Sequence, residues 1–271
     1  MAVSLRARGN FRHRNCDFPP VTLNFRKSQV EGTLFERQDK LKMVAHCKIT
    51  RQYEQSVLRE YLAYRLLNSV TDLSFRVRLL QVVWVDSEER RASMVRSAFL
   101  IEHKDRLAAR IGRTEQEIES AEITAIEPDH LNLLSMFQYL IGNSDWSLVT
   151  AEDEEHCCHN IDLIDSGDEW FLVPYDFDLA GLVDAKYRSS FNINQTRRRV
   201  YGGYCKTPPG QMGAALDAIG ALEDDIIDLA KQVPSVEEAS TSRRVEYLEG
   251  FFSADRDELL QVFDKHCLGR R

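Results

Sequence analysis

The sequence predicts a two-lobed α+β protein: a small antiparallel sheet carrying one helix, followed by a larger, mainly helical lobe. Three observations predict it. Short runs of alternating apolar and polar residues fill the first hundred positions and flank one helical pattern. Beyond residue 102 the helical period dominates, and Asn, Asp and Gly concentrate between about 142 and 178, where loops are expected. We divide the chain into 1–101 and 102–271, with a helical tail from about 211.

In the first lobe, Ala2 to Arg8 and Pro20 to Arg26 alternate as half-buried strands do, with Gly9-Asn10 and Gly32-Thr33 as turns, and Leu41 to Ile49 is a third strand candidate. From Glu54 to Val70 the apolar Val57, Leu58, Tyr61, Leu62, Leu66 and Leu67 recur at three and four, so an amphipathic helix is expected. Ser74 to Val85 and Met94 to Glu102, rich in Val, Leu, Phe and Trp, read as strands joined at Asp86-Ser87-Glu88-Glu89. In the second lobe, His130 to Ile141 is apolar nearly all round, which predicts a buried helix stopped by Gly142. Ile161 to Ile164 and Trp170 to Val173 form a short hairpin around Asp165-Ser166-Gly167-Asp168. The tail from Gln211 to Leu268 returns to helices, with Pro234 to Ser242 as a connection.

Composition bounds the function. The 271 residues carry 35 Lys+Arg against 43 Asp+Glu, a net charge of -8, with 43% hydrophobic positions. That acidic balance argues against sequence-independent binding of nucleic acid, which needs a surplus of Lys and Arg on one face. No apolar run approaches the roughly 20 residues of a membrane span, and no apolar block follows the N-terminal arginines as a signal peptide requires. As written, the chain is expected in the cytoplasm; if Met1 is a late start, a secreted or periplasmic protein follows instead. Cys16 with Cys47 and Cys205 with Cys267 are the disulfides that second case would carry, and otherwise the cysteines are expected as buried free thiols.

The chemistry concentrates in three motifs: Gly142-Asn143-Ser144-Asp145-Trp146, His159-Asn160, and Pro174-Tyr175-Asp176-Phe177-Asp178. An Asp after a buried helix, an Asn opening a hairpin and an Asp closing it place three oxygen-bearing side chains at one mouth. Such donors suit Mg2+, which takes one or two carboxylates and leaves its other positions to water and substrate phosphates. Asn160 and Asp176 are the candidate ligands. Asp145 is then left to orient an attacking hydroxyl or accept its proton.

In that order, helix, N-x-D, Asn, hairpin and Asp-Phe-x resemble the C-lobe active site of protein-kinase-like folds, with Asp176-Phe177-Asp178 in the place of Asp-Phe-Gly. The chain looks like a member of the spore-coat CotH family of atypical kinases. It shares their Arg-Gly-Asn segment (Arg8-Gly9-Asn10), N-x-D motif (Asn143-Ser144-Asp145) and Pro-aromatic-Asp motif (Pro174-Tyr175-Asp176) over about residues 3 to 185. The resemblance implies ATP-dependent phosphorylation of a protein Ser or Thr. The chain departs from the pattern in three ways. Asp145 and Asn160 stand 15 positions apart, no Arg-His follows Asp145, and Asp178 replaces a glycine. Either an insertion bulges from the site, or Asn143 or Asp162 takes the place of Asn160.

A kinase also needs a strand Lys for the α and β phosphates and a helix Glu to hold it. Lys42 and Glu60 match those types, although Lys40, Lys48, Arg8 or Arg59 would serve. Phe99 to Glu102, ending a strand before a helix, is the expected hinge, where backbone N–H and C=O meet adenine, so Arg8, Lys42, Glu60 and Glu102 are the nucleotide-binding candidates. Blander roles compete for each: Asp and Asn commonly cap helices, and Lys42 and Glu60 commonly face water. The adjacent cysteines of His156-Cys157-Cys158-His159 lack zinc-ligand spacing. Arg197-Arg198-Arg199 reads as a solvated face. A pseudokinase scaffold, or a nucleotidyl transferase or metal-dependent phosphoesterase using the same carboxylates, are the alternative functions.

Overall fold

The structure, a computed structural model, describes residues 1–9, 11–113, 123–148, 157–165, 167, 169–191, 199–204 and 211–266. The first lobe contains β1 (Ser4–Ala7), α1 (Phe11–Asn15), β2 (Val21–Asn24), β3 (Lys40–Val44), α2 (Arg51–Val70), β4 (Val77–Trp84) and β5 (Met94–Ile101). Its five strands form one antiparallel sheet in the order β1-β2-β3-β5-β4. Alternation sorts the two faces. Val44, Phe99 and Ile101 join the main core, while Leu41, Met43, Ala98 and Leu100 pack with Phe25 and Val30 on the other face.

The second lobe follows with α3 (Lys104–Arg110), α4 (Pro128–Ile141), the hairpin β6 (Ile161–Asp165) and β7 (Trp170–Pro174), and the helices α5 (Gln211–Gly220), α6 (Glu223–Gln232), α7 (Glu238–Phe252) and α8 (Arg256–His266). Helix α4 starts at Pro128 with the Glu127 side chain accepting from the N–H groups of Asp129 and His130, and it stops at Gly142, whose φ of 66° is left-handed. Its residues Leu131, Phe137, Leu140 and Ile141 are fully buried.

Four expectations need correction. Strand β1 is exposed at all four positions, because it is a sheet edge with nothing packed on it. The third strand ends at Val44 rather than Ile49, and α7 begins at Glu238, inside the expected connection. Helix α2 is not amphipathic in effect: Glu54, Gln55, Arg59 and Glu60 are buried together with its leucines. Helix α2 lies between β5 on one side and α6 and the turn after β7 on the other, so no face of its centre reaches water.

Cys16 and Cys47 are bonded to each other, joining α1 to the chain just past β3, and Cys205 and Cys267 lie outside the described residues. Among the described residues no helix is long and apolar enough to cross a membrane.

Candidate active site

A cavity of about 70 Å³ lies where the sheet meets the end of the β6–β7 hairpin. Four residues singled out in the sequence line it: Arg8, Lys42, Glu102 and Asp176, together with Tyr64, Ile101 and Tyr175. Strand pairing explains the gathering. Lys42 on β3 stands opposite Ile101 on β5, so both project from the α2 side of the sheet. Arg8 follows β1, with its N–H bonded to the Pro20 carbonyl, and Asp176 follows β7, its N–H donating to Tyr64 Oη at 3.0 Å. The alternatives Lys40, Lys48 and Arg59 do not line this cavity.

The cations here lack full compensation. Arg8 Nε is buried without a hydrogen-bond acceptor among the described residues. Lys42 Nζ stands 5.1 Å from the Tyr175 ring centroid. Its pKa is lowered, chiefly by desolvation, with Asp162 and Asp176 raising it and Arg8 and Lys104 lowering it.

The expected pairing of Lys42 with Glu60 is not formed. Arg12, on the one-turn helix α1, takes the acid: its Nη2 lies 3.1 Å from Glu60 Oε2, 3.3 Å from Asp176 Oδ1 and 2.6 Å from Asp178 Oδ2. Glu60 points into this cluster because the centre of α2 is enclosed, and its second oxygen, Oε1, has no hydrogen-bond partner among the described residues. One guanidinium faces three carboxylates. Burial pushes Glu60 up to about 8 against the pull of Arg12, and burial likewise raises Asp178 to about 6. Asp178, which replaces the usual glycine, is a second anchor for Arg12 and accepts from Tyr187 Oη at 2.8 Å. Sequence reading missed Arg12. A five-residue helix is too short to show a period, and the one available signal was its place four residues after Arg8.

Asp145 and Asn160, 15 positions apart in the chain, are brought into contact. Ser147 and His159 exchange two backbone hydrogen bonds of 3.0 Å, closing the chain around 149–156, which lie outside the described residues. Across that closure Asn160 Nδ2 donates to the Asp145 carbonyl at 2.7 Å and to its Oδ2 at 3.0 Å. His159 Nε2, a partner not foreseen in the sequence, is 3.2 Å from Asp145 Oδ1. Asn160 in turn reaches the cavity wall, its carbonyl accepting from the Tyr175 N–H at 3.0 Å. Asn143, the alternative, is 1% exposed and committed to Gln138 and the Asp145 N–H.

Glu102 borders the cavity with its carboxylate and its N–H already bonded within the protein. Its carboxylate accepts from Arg110 and from the Arg76 N–H, and its own N–H donates to the Arg76 carbonyl at 2.9 Å. Among the described residues no group of three or more His, Cys, Asp or Glu forms a metal cage. One carboxylate, Asp176, and one amide, Asn160, remain as donors. With the Asn160 nitrogen spent on Asp145, its oxygen is the free end of the amide.

No family model matches the sequence, and no curated protein matches it. Among solved structures the chain is similar to the crystal structure of a Helicobacter pylori proinflammatory kinase, CtkA, at a TM-score of 0.50 and 11% identity, over 98% of each chain. The fold is kinase-like. At that identity the likeness concerns architecture alone. Its coverage takes in the helices α5 to α8, which the motifs had left unmatched.

Proposed function

We propose that the chain is an ATP-dependent phosphotransferase, a CotH-like atypical kinase that phosphorylates a protein hydroxyl with Mg2+ as its ion. One observation carries the reading. Two cations with spare capacity, Arg8 and Lys42, share a cavity with Asp176, in a kinase-like fold that tethers Asp145 to the same cavity wall through Asn160.

In this reading Arg8 and Lys42 receive phosphate oxygens as charge-assisted hydrogen bonds. Asn160 and Asp176 would hold Mg2+, which supplies neutralisation of phosphate charge when bound. The donor set fits, since this ion is usually held by one or two protein oxygens and the phosphates themselves. Asp145 orients the acceptor hydroxyl and takes its proton as the new O–P bond forms and the bond to the leaving ADP breaks. His159 and Asn160 hold the Asp145 carboxylate in one orientation, and Arg12 keeps Asp176 from recoiling from Asp178 and Glu60. The enclosed 70 Å³ suits the phosphate end of a nucleotide, and whole ligands need roughly 300 Å³ or more, so the lobes part to admit one.

The test is transfer of label from γ-labelled ATP with Mg2+ to a protein acceptor or to the chain itself. Asp145→Ala and Asp176→Ala are expected to abolish it; equal transfer by all three proteins overturns the assignment. One observation favours a pseudokinase instead: Glu60 is held by Arg12 and not by the strand Lys. ATP binding without turnover in the wild type would establish that reading.

A further inference from the structure

One edge of the five-stranded sheet is long and apolar. Strand β4 pairs with β5 along all eight of its residues, and among the described residues no strand lies on its other side. The opposite edge, β1, has four residues. Natural edges are usually short or broken by Lys, Pro or a bulge, because a bare row of N–H and C=O groups recruits another strand. From Leu79 to Val85 this edge carries no charge and a single amide, Gln81. Exposed apolar side chains collect at the same place. Val83 is 61% and Val85 74% exposed, and Val95 on β5, opposite Val83, is 50% exposed. Contiguous exposed apolar side chains of this kind mark contact surfaces.

The hydrogen-bond phase of β4 fixes how a neighbour can join. The Glu102 N–H donates to the Arg76 carbonyl, so Arg76 and Glu102 are a bonded pair, and by alternation the even-numbered residues of β4 bond β5. The backbone groups of Val77, Leu79, Gln81 and Val83 therefore point outward. An antiparallel neighbour that continues the sheet sets them opposite its own outward-pointing residues.

We propose that this neighbour is a second copy of the chain, the two β4 strands running antiparallel about a two-fold axis at Gln81, so that one sheet continues across the dimer. The strand is complementary to itself in that register. On the α2 side Gln81 meets its own copy, Leu79 meets Val83 and Val77 meets Val85, so both exposed valines leave water. On the other face Leu80 meets Val82, Arg78 lies beside the Trp84 ring, and Arg76 faces Asp86. Moving the axis to Leu80 or Val82 sets the Gln81 amide against Leu79 or Val83, so Gln81 selects the register. Two-fold symmetry makes each unlike pair occur twice. The ion pairs are exposed and weak, so the backbone bonds and the covered valines carry the affinity and the charges set the alignment. No residue of β4 lines the candidate active-site cavity, so the dimer and the phosphotransfer reading are tested apart.

Sedimentation velocity of the full chain, over a concentration series reaching about 200 µM, is expected to show a reversible monomer–dimer equilibrium, as suits a small interface. Val83→Lys, at a side chain exposed in the monomer, is expected to weaken association about tenfold or more while the dilute protein keeps its unfolding temperature. Arg76→Asp and Asp86→Arg each set like charges opposite one another and are expected to weaken association severalfold. An equimolar mixture of the two variants pairs opposite charges at both ends and is expected to restore it. Asp86 also accepts from the Glu88 N–H, and a local effect on that turn would not be repaired by mixing. A chain monomeric throughout the series, a dimer indifferent to Val83→Lys, or a mixture that associates no better than its components overturns the proposal.

Discussion

The Arg12 guanidinium stands 3.1 Å from the Glu60 carboxylate, two groups 48 positions apart in the chain and both almost wholly buried. It ties α1 to the centre of α2, and through Asp176 and Asp178 it ties both to the second lobe.

Removing that cation leaves three carboxylates facing one another. Arg12→Ala is expected to cost roughly 3–5 kcal/mol of stability, because breaking a buried pair strands charge that water no longer solvates. Arg12→Lys keeps the charge and loses the forked geometry, so it falls between the two. Urea denaturation measures the series, and a loss in Arg12→Ala no larger than that of a surface substitution would show that the cluster is not a structural joint.

The same cluster sets a pH dependence. Glu60 has its pKa raised from 4.5 unfolded to about 8 folded, so the folded chain binds the proton more tightly. Stability from this group is therefore full below about 4.5 and is lost as pH rises towards 8; Asp178, raised to about 6, adds in the lower part of that window. The denaturation midpoint should fall between pH 6 and 8 in the wild type and change less in Glu60→Gln. Parallel curves for the two proteins would refute the shift.

Lys42 and Arg8 are expected to bind phosphate and not to hold the fold. Lys42→Ala and Arg8→Ala should each weaken MgATP binding by about tenfold or more, the worth of a charge-assisted hydrogen bond, while unfolding at nearly the wild-type temperature. Calorimetric titration decides; wild-type affinity in both variants would move the nucleotide elsewhere.

The bond between Cys16 and Cys47 closes a loop with a sequence separation of 31, which in the chain-entropy picture stabilises the fold by roughly 3–4 kcal/mol. Protein purified under oxidising conditions should lower its unfolding temperature on reduction, and Cys16→Ser/Cys47→Ser should match the reduced protein and ignore reductant. A wild-type protein unaffected by dithiothreitol would show that the bond is absent or without weight.

Much of the architecture was legible. The three- and four-residue spacing from Val57 to Leu67 marked α2, the all-round apolar run to Ile141 and the following Gly142 marked α4 and its stop, and the residues on either side of Asp165 to Asp168 marked the hairpin. Part of the candidate site was legible too, since Arg8, Lys42, Glu102 and Asp176 do line one cavity. The Glu102 partners, Arg110 and Arg76, were not legible, because they are set by how α3 and β4 pack beside it, which no local pattern records. Glu60 was assigned to the right helix and the wrong cation, for the same reason.

The sequence by itself determined the order of strands and helices, the stop at Gly142 and the residue types available for chemistry. These follow from short-range rules: side-chain period, backbone freedom and charge. Only the tertiary structure decided that Arg12, not Lys42, is the cation beside Glu60, that Asp145 and Asn160 touch across 15 positions, and that Arg199 turns inward to share a groove with Arg244. Ion pairs and hydrogen bonds depend on distance in space, and that distance is set by packing of segments far apart in the chain.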